Sequence, residues 1–151
     1  MVSLSENVRF ALTNPVPKKI IDDAVRFHGH LGPFLILGLK AGLFANEVLG
    51  KDCFKTRAII ETEITPPCSC FVDGVQFATG CTMGKGNIEL RRGSSLTVLF
   101  MKDDDHLTLC LKEDILKNLK GVSSRKESEK TILNFLSKPI QELFNIRRRR
   151  Y

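Results

Sequence analysis

The sequence predicts an α+β fold: a single compact domain in which a small, mostly antiparallel sheet is flanked by helices. Three features predict it. Residues 34–49 are apolar almost all round, with Gly38 and Gly42 four apart, which describes one buried, glycine-faced helix. Residues 56–65 are β-branched and alternating, and residues 96–101 and 107–112 read as a hairpin. Helical and strand segments follow in irregular order, without the strict alternation that builds a parallel sheet. At 151 residues the chain has single-domain length and can bury a substantial core.

Each element has its own signals. Pro15 and Pro17 open a first helix, in which Ile20, Ile21, Ala24, Val25 and Phe27 recur at helical spacing until Gly29 breaks it. Pro33 suits the first turn of the buried helix, and Gly50 suits its C-terminal cap. The first strand stops at Pro66-Pro67. Helical spacing returns over residues 70–79, where Val72, Val75 and Phe77 are apolar; Gly80, Gly84 and Gly86 then require a loop. The hairpin turns at residues 102–105, and residues 113–120 and 127–146 read as helix with a break near Pro139. The domain is expected to span 1–146, leaving 147–151 as a basic C-terminal tail.

Composition narrows the function classes. The chain is 42% hydrophobic and 26% charged, and no apolar run approaches the roughly 20 residues that cross a bilayer, so no membrane partner is expected. Residues 1–7 lack the basic-then-apolar pattern of a secretory leader, which points to the cytoplasm. Of the net charge of +6, Arg147 to Arg150 supply four; the remainder has 19 basic against 17 acidic residues, a balance of +2. An arginine run attracts phosphate polymers through counterion release, but the body has no basic face interleaved with aromatics. It reads as a solvated, frayed end, and a nucleic-acid partner is not expected. Five cysteines without a secretory signal read as thiols, ligands or core residues rather than a disulfide framework. Cys53 and Cys110 suit core or loop positions, whereas Cys68, Cys70 and Cys81 crowd near glycine, proline and polar groups.

The chemistry concentrates in two segments. In His28-Gly29-His30, a helix that ends at Gly29 lets both imidazoles converge on one point, as zinc ligands or as a general base; hydrogen-bonded structural histidines are the alternative. On a helix over 70–79, Cys70, Asp73 and Gln76 share a stripe at i,i+3 spacing, and a carboxylate and an amide among apolar residues suit a pocket lining. An exposed polar stripe is the alternative. The Gly84-Lys85-Gly86 turn is not a phosphate loop: Thr79 stands where the first glycine belongs, and Gly86 where the hydroxyl belongs. It can still present backbone N–H groups and an ammonium to an anion, and Lys85 near Cys81 would favour the thiolate. An ordinary solvated turn remains the alternative. His28, His30, Cys70 and Cys81 would make a tetrahedral N2S2 set, and any three leave an open coordination position. Glu61 and Glu63 share a strand face and read as solvent-side residues, with oxygen ligation as the alternative.

The stretches FHGHLGPFLILGLKAG (residues 27–42) and PPCSCFVDGVQFATGCTMGKGNI (residues 66–88) resemble the FmdE family of formylmethanofuran dehydrogenase components, over roughly the first two-thirds of the chain. The resemblance implies a compact α+β domain, often dimeric, akin to components of the molybdenum or tungsten enzymes that interconvert carbon dioxide and the formyl group on methanofuran. It marks His28, His30, Cys70, Asp73, Gln76, Cys81 and Lys85 as the site. Many members carry a cysteine where this chain has Gly32, which implies a leaner site. Some continue into a zinc-binding module with paired cysteines, and no such pairs follow here.

Three readings result. The leading one is a cytoplasmic accessory protein that binds a divalent transition metal, zinc foremost, through His28, Cys70 and Cys81 with His30 as fourth ligand. It would form a homodimer or dock onto a larger dehydrogenase complex, in a methanogenesis-related setting. The second is an independent enzyme acting on a small-molecule substrate. There Cys81 is nucleophile or redox thiol, His28 or His30 the base, Asp73 its orienting partner, and Lys85, Gln76, Gly84 and Gly86 hold the ligand. The third is a protein that serves only to bind a partner, without catalysis.

Overall fold

The computed structural model describes residues 15–122 and 124–151. Residues 1–7, on which the expectation of a cytoplasmic location rests, lie outside the described residues. In chain order the elements are α1 (Lys18–His28), α2 (Pro33–Leu49), β1 (Arg57–Thr62), α3 (Cys70–Thr79), one 3₁₀ turn (Met83–Lys85), β2 (Ile88–Arg92), β3 (Thr97–Lys102), β4 (Asp105–Leu111), α4 (Glu113–Lys120), α5 (Arg125–Ser137), α6 (Ile140–Leu143) and β5 (Phe144–Arg150). The strands form one sheet in the order β2-β1-β3-β4-β5. β1 and β2 run parallel, joined through α3, while every other neighbouring pair is antiparallel. The α+β expectation and the mostly antiparallel sheet are what the chain adopts.

One face of the sheet is buried. Ala58, Ile60 and Thr62 of β1, Val98 and Phe100 of β3, Leu107, Leu109 and Leu111 of β4 and Phe144 of β5 alternate inward. They share a core with Phe34, Ile36, Leu37 and Ala41 of α2 and with Phe71 and Val75 of α3. The α2–α3 contact is unusually close. A Cβ on Gly38 would overlap the Phe71 carbonyl oxygen, and one on Gly74 would stand 2.6 Å from the Leu39 nitrogen. A Cβ on Gly42 would come within 2.6 Å of the Ala78 Cβ. Of the two glycines that the sequence offers as a packing face, Gly38 meets Gly74 of the opposing helix backbone against backbone, and Gly42 receives the Ala78 methyl group. On the far side of α2, the half-buried Lys40 ammonium donates to the carbonyls of Phe135 (2.6 Å) and Lys138 (2.5 Å) at the end of α5. Burial brings its pKa down to about 8.

Two segments depart from expectation. The sequence predicts helix through residue 146, yet α5 ends at Ser137, α6 adds a single turn, and residues 144–150 pair with β4 as an edge strand. The basic segment is thus no frayed tail: Arg147 to Arg150 are four of the seven residues of β5. The reason is alternation. Phe144 seals the core, Ile146 follows on the same face, and Arg148 clamps Asp105 with Nε–Oδ1 at 3.0 Å and Nη2–Oδ2 at 2.7 Å. Strand β2 has no counterpart in the sequence reading, because among its five residues only Ile88 and Leu90 are apolar.

Gly74→Ala should cost about 2–3 kcal/mol in urea denaturation, or prevent folding, because the methyl group meets main-chain atoms. Gly84→Ala, which meets open space, should change stability by less than about 0.5 kcal/mol. The Arg148 guanidinium holds the Asp105 carboxyl below the usual carboxylate range. That contribution is present above the unfolded-state pKa of about 3.9 and is lost as pH falls through the lower folded value. Asp105→Asn should therefore destabilise by about 1–3 kcal/mol at neutral pH, with the difference from wild type shrinking as pH is lowered toward 3.

Candidate metal centre

The site forms where α1 ends, α2 begins and α3 starts. Gly29 closes α1 with φ of 109°, a conformation that suits glycine, and its N–H bonds the Val25 carbonyl at 2.7 Å. That reversal turns His30 back beside His28, with ring centroids 4.6 Å apart. Phe27, on the last turn of α1, packs against Phe77 of α3 at 6.2 Å between rings and holds the end of α1 on that helix. Cys70 is the first residue of α3 and Asp73 lies one turn further on.

His28 is the most constrained member. Its side chain is 7% exposed, and Nδ1 lies 2.5 Å from Asp73 Oδ2. A carboxylate has only acceptors, so Nδ1 carries the hydrogen toward Asp73, and in the neutral ring the lone pair is on Nε2. That Nε2 is buried and has no hydrogen-bond partner among the described residues. Asp73 is held in turn: Gln76 Nε2 donates to its Oδ1 at 3.3 Å, and Gln76 Oε1 accepts from the Met83 N–H at 3.0 Å. Amide, carboxylate and imidazole thus form a chain from the 3₁₀ turn to the orphaned nitrogen. The polar stripe expected on α3 lines the site.

Among the described residues, His28, His30 and Cys70 bring one donor atom each to within 4.8 Å of one another. Cys70 is half-buried, and burial, then the charge of Asp73, push its thiol above the ordinary range. A cation placed between the three donors would reverse that effect. A Cβ on Gly32 would sit 3.4 Å from His30 Nε2, so the glycine leaves open the flank where a side chain would touch the same imidazole.

The other expected site residues lie elsewhere. Cys81 stands outside the donor group. It is fully buried, its Sγ bonds the Thr56 carbonyl at 3.3 Å, and burial pushes its thiol up. Cys68 is buried too, near the Glu63 carboxylate at 3.7 Å, and burial again raises its thiol. Glu63 itself pairs with Lys120 at 2.8 Å, and Glu61 is exposed on the sheet. Lys85 bonds the Thr82 hydroxyl at 2.8 Å and lies 6.0 Å from the Phe54 ring; its charge favours the Cys81 thiolate as expected, but burial outweighs it. Gly84 and Gly86 complete that exposed turn. Thr82, not singled out from the sequence, caps it by accepting from the Lys85 N–H; a threonine three residues before the lysine was the available signal.

Iodoacetamide should therefore leave Cys81 unmodified in the folded protein at pH 8 and modify it only in denaturant, as peptide mass spectrometry would report. Rapid modification of native Cys81 would contradict this placement.

Comparison with known proteins agrees with the architecture. The family described as "FmdE, Molybdenum formylmethanofuran dehydrogenase operon" matches residues 27–145. A relative from Archaeoglobus fulgidus, described as "Probable S-adenosyl-L-methionine-binding protein", is 33% identical over 142 residues, covering 90% of this chain and 34% of its own. The chain therefore spans about a third of that relative's length. The crystal structure of an FmdE-like protein of the tungsten formylmethanofuran dehydrogenase type, from Syntrophus aciditrophicus, superposes with a TM-score of 0.64. That match covers 89% of this chain and 72% of the other at 19% identity, a likeness of fold.

Proposed function

The chain belongs to the FmdE family, and we propose that it is a metal-binding accessory protein of a formylmethanofuran dehydrogenase-like system, with His28, His30 and Cys70 as the ligands. One observation carries this reading: His28 Nε2 is buried and without a partner, while Asp73 fixes the opposite side of the ring. Leaving a buried acceptor unpaired costs about 1–3 kcal/mol, and a cation at that nitrogen removes the cost. A carboxylate behind a ligating histidine orients the ring and raises its basicity. Two imidazoles and a thiolate suit zinc foremost among the divalent transition metals. Ligand atoms in a tetrahedral zinc site stand roughly 3.5 Å apart, so the three donors need close in by only about an ångström.

Three protein ligands leave a coordination position open. A metal there would supply Lewis acidity or hold a ligand from a partner or small molecule. The protein's own part is to present the donors, with Gln76 and Asp73 holding His28 in one tautomer. We place its action in the cytoplasm, as a homodimer or docked on a larger dehydrogenase complex. No helix among the described residues is long and apolar enough to cross a membrane.

Elemental analysis of the untagged protein should find about one transition-metal equivalent per chain, zinc above others. His28→Ala and Cys70→Ser should each lose most of it, by a factor of about 10–100 or more in affinity; Asp73→Asn should weaken it by about 10–100-fold; Cys81→Ser should retain it. A metal-free wild type after growth in zinc-replete medium, or a Cys70→Ser variant with full metal content, would refute the proposal.

A further inference from the structure

The face of the sheet turned away from the helices carries a second cluster that the metal centre does not use. β5 alternates, so its four arginines divide into two pairs on opposite faces. Arg148 and Arg150 stand on the helix side and share Asp105, at 2.7 and 3.4 Å. Arg147 and Arg149 stand on the outer face, opposite Thr108 and His106 of β4 in the register. Neither outer arginine has an ion-pair partner among the described residues. Asp103 and Asp104 stand in the turn before β4 and do not line the space between the two outer arginines, and the acids within the strands of this face lie three and four strands away. Glu89 already pairs with Arg57 at 3.3 Å and Arg91 at 2.8 Å, and Glu61 lies opposite Arg91.

These side chains surround a small cavity of about 150 Å³, lined by Leu99, His106, Thr108, Arg147, Arg149 and Tyr151. Tyr151 closes one end by standing edge-on to His106, with ring centroids 4.8 Å apart, and its backbone N–H is tied to the Asp104 carbonyl at 2.9 Å. Every polar side chain at the cavity can donate a hydrogen bond: two guanidinium forks, an imidazole, a hydroxyl and a phenol. Among the described residues, no aspartate or glutamate side chain lines it. Two cations held two residues apart on one strand face repel each other unless an anion joins them, and paired guanidinium groups match the geometry of a tetrahedral oxyanion.

We propose that this cavity is an oxyanion site that takes the phosphate group of a small phosphorylated ligand. The size of the cavity and its position at one corner of the sheet favour a single phosphate over a polymer, which would need a basic track along the face. Arg57, the other arginine in the row of Arg149, His106 and Met101, is neutralised by Glu89.

Calorimetric titration of the full chain with inorganic phosphate, at an ionic strength held constant with chloride, tests this. The expected result is saturable binding at one site per chain, weakened at least tenfold in R147Q/R149Q and unchanged in R92Q, an exposed arginine on the opposite edge strand. R147K/R149K keeps the charge and loses the forks, so it should bind severalfold more weakly than wild type; it carries the test if the glutamine variant fails to fold. Heats no larger than those with chloride, or equal binding by wild type and either double variant, would overturn the proposal. Binding of a short single-stranded RNA that phosphate does not compete away would overturn it as well, since the face would then read a polymer.

Discussion

The contact on which the rest of the structure depends is the meeting of Gly38 and Gly74. With no side chain on either residue, α2 and α3 approach until their main chains touch, and van der Waals packing fixes their relative position with little room to slide. Both halves of the candidate metal centre hang from this pair of helices. The histidines sit in the turn that leads into α2, and Cys70 and Asp73 occupy the first turn of α3. A wider separation would pull Asp73 from His28 and leave a buried imidazole with both nitrogens unpaired. The same contact sets α3 against the sheet and so fixes the crossover from β1 to its parallel neighbour β2.

Around that contact, the buried side-chain polar atoms of the described residues are paired, with His28 Nε2 the one exception among them. The Thr79 hydroxyl accepts from the Cys81 N–H, the Asn87 amide oxygen accepts from the Thr82 N–H, and Asn46 anchors the end of α3 by donating to the Ala78 carbonyl. Against this background the unpaired Nε2 of His28 stands out. Asp73 holds the ring on one side and leaves the other nitrogen open, which is the arrangement the proposed metal would use.

Much of this is legible in the sequence, for local reasons. Proline and glycine punctuate α1, α2 and α3 so strongly that the start of α2 at Pro33 and both ends of α3 can be read directly. The convergence of His28 and His30 follows from a helix that has to stop at Gly29. Cys70 and Asp73 follow from helical spacing. What cannot be read depends on contacts between distant segments. Cys81 is the same residue type as Cys70 and lies near the same glycines. Yet Gly80, with φ of 75°, directs the chain so that the thiol enters the core below β1, and no spacing rule conveys that. β5 is hidden for a related reason. Four consecutive arginines look solvated until Asp105, far earlier in the chain, supplies the partner for one face. β2 has too few apolar residues to announce itself and exists because β1 offers it an edge.

The central claim is a metal held by two imidazoles and one thiolate, and X-ray absorption of the zinc-loaded protein tests it most directly. The fine structure should fit one sulfur at about 2.3 Å and two imidazole nitrogens at about 2.0–2.1 Å, with one further light atom. A shell with two sulfurs would bring Cys81 or Cys68 into the site and contradict the geometry described here. A shell with no sulfur would remove Cys70 from it.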